Sequence, residues 1–197
     1  MRNAFAARGH DAISVDLQPT RRPGRHHVGD ALEFTRAEIA AGRRPDIVIA
    51  HPTCRYLANS GVCHLYVDKK KVNGPNPERW ALMRDAAEFF RALLDLDVPR
   101  LCVENPVMHC WARDIIGVGP TQTVQPWMFG HPETKATSFW LRGLPKLVET
   151  HNVKAEMLAR PKREAQRIHY MSPGPDRERE RSVTFQGIAD AMASQWG

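Results

Sequence analysis

Short apolar runs that stop at polar residues recur along the chain, at "AISVDL" (12–17), "DIVIA" (46–50) and "RLCVEN" (100–105). Runs of this kind fit parallel strands whose C-terminal ends form the edge where open α/β sheets bind ligands. A fourth strand is expected at "ATSFWL" (136–141). Between them, Trp80, Met83, Ala87, Phe90 and Leu94 recur at steps of three and four, which predicts one helix over 78–96 with a single apolar stripe against the sheet. Pro75 and Pro77 precede that helix and Pro99 follows it, so both of its ends are marked. "GIADAMASQW" (187–196) predicts a closing helix. The polar segment 151–181, which runs into "DRERERS", and the basic "RRPGRHH" (21–27) are expected to be solvated loops.

These elements alternate as in an α/β domain, and 197 residues suffice for one compact domain spanning the whole chain. No apolar stretch approaches the roughly 20 residues that cross a bilayer, and no signal-peptide core is present at the N-terminus, so the expectation is a cytoplasmic protein with no membrane partner. The net charge of +6 favours a polyanionic partner, because Lys and Arg gain affinity by releasing counterions from phosphates.

Four cysteines, at 54, 63, 102 and 110, read as thiols rather than as a disulfide framework. Cys102 lies inside a strand-like run, where a thiol packs as a small hydrophobe. Eight residues separate Cys54 from Cys63 and seven separate Cys102 from Cys110, spacings that do not make the short hooks of a zinc site, so no metal is expected. "HPE" (131–133) has the H-x-E of zinc nucleobase deaminases but no downstream P-C-x-x-C. Cys54 differs from the other three. In "HPTCRYLANSG" (51–61) it follows a strand in a turn set by Pro52, with Arg55 beside it and the small polar residues around Ser60 leaving room for a ligand. A thiolate there is nucleophilic if positive charge lowers its pKa, and packing remains the alternative. "VENP" (103–106) supplies a carboxyl group, Glu104, at a second strand end, where burial raises a carboxyl pKa enough for proton donation near neutral pH.

The order "HPTCRYLANSG", "VENP", "QPWMFGHPETKATSFWL" and "RSVTFQGIADAMASQWG" resembles the DNA cytosine-C5 methyltransferases, and among them the small methylase-like proteins of bacteriophages and prophages. The resemblance implies a Rossmann-like fold that uses S-adenosylmethionine, with a mostly parallel sheet and flanking helices. It makes Cys54 the nucleophile toward C6 of a flipped cytosine, Glu104 the acid at N3, and Asn105 the residue that orders the loop. It places Asp16, Asp30 and Pro52 on the cofactor side, and Arg55, Ser60 and Lys135 on the substrate side; a turn former or helix cap is the alternative for either aspartate, and a surface lysine for Lys135. The implied partner is DNA.

Three departures accompany it. The chain opens at "MRNAFAARGHDA", which resembles the helix that follows the family's glycine-rich cofactor turn, so the fold is expected in an N-terminally shortened form. Thr53 stands between Pro52 and the cysteine, where the family has proline next to the nucleophile. About 45 residues separate Leu141 from Gly187, too few for a separate target-recognition domain. Two other functions stay open: a nucleic-acid-binding protein that keeps the fold without catalysis, and an enzyme acting on free pyrimidine nucleotides.

Overall fold

The computed structural model describes residues 1–68, 70–172, 174 and 177–197, apart from the side chains of Glu178 and Arg179. In chain order the elements are α1 (Arg2–Ala6), β1 (Ser14–Asp16), β2 (His26–Val28), α2 (Ala31–Ala40), β3 (Ile47–Ala50), a 3-10 helix (Asn59–Leu65), α3 (Pro77–Leu94), β4 (Arg100–Pro106), α4 (Cys110–Ile116), β5 (Gln122–Val124), a 3-10 turn (Pro126–Met128), β6 (Thr137–Arg142), α5 (Lys154–Ala159), α6 (Lys162–Ala165), α7 (Arg167–Tyr170), α8 (Arg177–Ser182) and α9 (Gln186–Gln195). The architecture is α/β, with open sheets and flanking helices. Two compact units form: one from Met1–Phe34, Val124–Ala136 and Pro145–Gly197, the other from Thr35–Thr123 and Thr137–Leu144.

In the second unit, α3 begins where the sequence marks it. The Asn76 side chain accepts from the Arg79 N–H at 3.1 Å, and Pro77 fills the first helical position, where a missing N–H costs nothing. Met83, Ala86, Ala87, Phe90 and Leu93 are its buried face, so the stripe turns onto Leu93 rather than Leu94. Phe90 meets Trp140 of β6 edge-on at 4.8 Å, a favoured aromatic geometry. At the other end of α3 the Arg142 guanidinium donates to the carbonyls of Leu94, Leu96 and Val98, covering acceptors that the end of a helix leaves over. Gly143 turns the chain out of β6 at φ +65°, and a Cβ there would collide with the Pro99 carbonyl, so glycine is required.

The strand order of the larger sheet is β3-β4-β6-β5. β3 and β4 are parallel, but β6 runs antiparallel to β4, so this sheet is mixed where a mostly parallel one was expected. The reason lies in pairing and burial. Six successive pairs, Leu101↔Arg142 to Pro106↔Thr137, join β4 to β6, and Thr137, Ser138, Phe139 and Trp140 are buried on both faces; strand composition does not encode direction.

In the first unit, β1 and β2 form a separate parallel pair. Residues 21–25 of "RRPGRHH" are an exposed loop, as expected, but one held in place, and only its two histidines leave it. The Arg2 guanidinium donates to the carbonyls of Arg22, Pro23 and Arg25 and to the Ser14 hydroxyl, and His26 and His27 enter β2. A charged group with this many acceptors holds a turn in place. The described residues of the 151–181 segment are largely exposed, as expected, but they form short helices rather than a loop. The segment carries α5, α6, α7 and most of α8, with Met157, Ala165 and Ile168 buried, because its few apolar residues recur where single helical turns can bury them. Asp176, at the head of "DRERERS", lies outside the described residues. In α9, Ile188, Ala189, Ala191, Met192 and Ala193 are buried, and the Trp196 indole beyond its end donates to the Pro145 carbonyl at 3.1 Å. No helix among the described residues is long and apolar enough to cross a membrane.

Candidate active site

The register of β3 on β4 ends at Ala50↔Val103, and continuing it by one and two residues sets His51 beside Glu104 and Pro52 beside Asn105. The side chains make that continuation. His51 Nδ1 lies 2.5 Å from Glu104 Oε1, and Asn105 Nδ2 donates to the Pro52 carbonyl at 3.5 Å. The Glu104 side chain is 12% exposed and that of His51 39%, so the carboxyl group sits inward and the imidazole bridges it to the surface. Asn105 is buried, and its Oδ1 accepts no hydrogen bond in the structure.

On β4, Cys102 and Glu104 share a face, since side chains alternate along a strand. Burial pushes the Cys102 thiol well up, and the Glu104 carboxylate pushes it further. A fully buried thiol in that environment is a packing group.

Cys54 is half-buried. Its carbonyl accepts from the Leu57 and Ala58 N–H groups at 3.2 and 2.9 Å, so a tight turn begins at the cysteine itself. The chain then runs back along the segment after β4: Asn59 N–H donates to the Val107 carbonyl at 2.8 Å, His109 N–H donates to the Leu57 carbonyl at 3.2 Å, and Ala58 bridges Met108. Leu57 is fully buried and anchors this return.

His109 fastens the loop from below. Its Nδ1 accepts from the Ala112 N–H at 3.1 Å, capping α4, which puts the ring proton on Nε2, 3.0 Å from the Tyr56 carbonyl. That tautomer is neutral, and a second proton would break the cap. Burial, first of all, holds the His109 pKa below its ordinary value of 6.5, and the Arg79 charge acts in the same direction against the Tyr56 hydrogen bond. Because the folded pKa is depressed, the stability this histidine contributes is present above pH 6.5 and is lost as pH falls through the lower folded value. His109→Asn keeps a capping oxygen but neither titrates nor reaches Tyr56. Below pH 6.5 the urea midpoint of the unaltered protein is expected to fall more steeply than that of the variant; parallel curves would contradict this assignment.

Above the loop, the Arg79 guanidinium lies 4.3 Å from the Tyr56 ring centre and that of Arg55 5.7 Å from it, and Arg79 donates to the Arg55 carbonyl at 2.6 Å. Two cations on one ring make a positive aromatic surface two residues beyond the thiol. A Cβ on Gly61 would lie 3.2 Å from the Arg55 carbonyl, so this glycine lets the turn close. Ser60 is exposed on the same turn. Two shallow clefts, of about 460 and 220 Å³, share Val118 and Gly119, and neither includes Cys54 or Glu104.

No protein-family model matches the chain, and no curated protein is significantly similar to it.

Of the residues singled out in the sequence, Pro52, Cys54, Arg55, Ser60, Glu104 and Asn105 belong to the second unit, around the ends of β3 and β4. Asp16, Asp30 and Lys135 belong to the first. Asp16 is exposed at the end of β1, its Oδ1 fixed by the Gln18 N–H at 2.8 Å. Asp30 stands in the loop between β2 and α2, where its Oδ1 accepts from the Leu32 and Glu33 N–H groups at 2.8 and 2.9 Å and caps α2. Lys135 Nζ donates to the Val183 carbonyl at 3.0 Å, a tether within its own unit. The "HPE" residues are structural too, with His131 Nε2 accepting from the Gly187 N–H at 3.0 Å and Glu133 paired with Arg167. Among the described residues, no group of three or more His, Cys, Asp or Glu side chains is arranged to hold a metal ion.

His51, His109 and Arg79 are the residues that sequence reasoning missed. "HPTC" already carries His51, but its partner stands 53 positions away, and only strand register joins them.

Proposed function

We propose that the chain is a Rossmann-like methyltransferase, and specifically one that transfers a methyl group from S-adenosylmethionine to C5 of cytosine in DNA. One observation carries the reading: β3 and β4 are parallel and in register, so the loop bearing Cys54 leaves the sheet at the same edge as Glu104. Cytosine C5 is a weak nucleophile until a group adds across the C5–C6 bond, and a thiolate suits that addition. Glu104 would meet ring N3 and stabilise the charge that the addition creates. Asn105, held to the Pro52 carbonyl, ties the turn before the cysteine to β4. Extruding the base costs a few kcal/mol, which phosphate contacts by Arg55 and Arg79 would help to offset.

The cofactor would supply an electrophilic methyl group. Asp16 fits a ribose diol in kind, as an exposed carboxylate fixed at a strand end. Asp30 is accounted for by its helix cap, so its contact with adenine rests on the resemblance alone.

The aromatic and cationic surface at Tyr56, Arg55 and Arg79 favours DNA over a free nucleotide, because it offers stacking and phosphate contacts beyond a single base. Incubation with labelled S-adenosylmethionine and duplex DNA carrying 5-fluorocytosine is expected to give a denaturant-resistant adduct located at Cys54 by peptide mapping. Deoxycytidine monophosphate in excess should leave its yield unchanged. An adduct suppressed by the nucleotide would make free pyrimidines the substrate, and salt-dependent DNA binding without any adduct would leave a nucleic-acid-binding protein.

A further inference from the structure

We infer that His51 supplies the proton that Glu104 passes to the pyrimidine ring, so that the two side chains work as one acid; this inference rests on the proposed cytosine chemistry. The contact between imidazole Nδ1 and carboxyl Oε1 is 2.5 Å, within the reach over which a proton passes directly between two groups. Burial differs across the pair, with the carboxyl group inward and the imidazole reaching solvent. Glu104 is therefore placed for the substrate and His51 for exchange with water. β3 and β4 fix both groups on rigid strand ends, which a proton relay needs.

The balance is as follows. The Cys54 thiolate donates a sulfur lone pair to C6, forming the S–C6 bond, and the C5–C6 π pair moves toward C5 and the conjugated ring. Ring N3 takes a proton from Glu104, while the Nδ1 proton of the His51 imidazolium moves to Glu104. The carboxyl group ends as it began. A thiolate and an imidazolium have become a neutral adduct and a neutral imidazole. In the adduct C5 takes a proton from water and gives up its own hydrogen to water; the S–C6 bond then breaks, its electron pair leaves with sulfur, and the N3 proton returns through Glu104 to His51, so no oxidant is needed. His51 acts through Glu104, so it is a positioning residue that also stores the proton.

The test uses release of tritium from C5 of [5-³H]cytosine in duplex DNA, a reaction that requires addition at C6 but not methyl transfer. The unaltered chain should release tritium, and His51→Ala should lower the turnover rate about 100- to 10,000-fold with KM little changed. Free imidazole in the buffer should restore at least about tenfold of that loss, as a small acid entering the space left by the side chain. Release by His51→Ala within about threefold of the unaltered rate would overturn the inference, as would a loss that imidazole does not restore or one confined to KM. No release from the unaltered protein would instead count against the cytosine chemistry itself, before any substitution is made.

Discussion

Cys54→Ser is expected to form no adduct with 5-fluorocytosine DNA and to release tritium from C5 at least about 1,000-fold more slowly than the unaltered protein. Serine keeps the size and a hydrogen-bonding group, but its hydroxyl stays protonated near neutral pH and lacks the polarisability that lets sulfur add to a ring carbon. The turn should survive, because Leu57 and Ala58 donate to the backbone carbonyl of residue 54, which the substitution leaves in place. Thermal melting should therefore match that of the unaltered chain. Cys63→Ser is the control, a second half-buried thiol in the same unit that should change neither measurement. Turnover by Cys54→Ser within tenfold of the unaltered rate would remove the cysteine from the chemistry.

Phe90→Ala is expected to cost about 3–5 kcal/mol of stability, read as a lower urea midpoint. The ring is fully buried and stands edge-on to Trp140, which itself donates to the Val118 carbonyl at 3.0 Å. Trp140 is thus held from the far side and cannot swing in to fill the space. The expected result is a cavity that persists. A loss under about 1 kcal/mol would mean that α3 and β6 close up after the deletion, against the packing described here.

The sequence was most legible where one residue determines its own surroundings. Asn76 and Pro77 announce the start of α3 whatever else the chain does, and the apolar stretches of β3 and β4 have no other place to go than a sheet. β2 was hidden because His26 and His27 carry no strand pattern; the strand exists through its register with Ser14 and Val15 of β1 and through the Arg2 side chain that binds the preceding turn. α2 was hidden by a short polar lead, although Asp30 followed by Glu33 three positions later was a capping signal in plain view. The direction of β6 left no trace in composition. At the site, Cys54 and Glu104 could be singled out because each is chemically conspicuous at a strand end. His51 and His109 could not, since their roles come from partners brought close only by β pairing and by the return of the loop.

The parallel pairing of Ala50 with Val103 also sets a timetable. A chain segment linking positions 53 apart must close before β3 can dock on β4, and non-local closures of this kind slow the search for the native state. α3 lies inside that segment and can form from local contacts, whereas the union of His51 with Glu104 must wait for the strands to meet. During synthesis Cys54 therefore emerges long before Glu104, and the loop that carries it acquires its setting only when the far strand has left the ribosome.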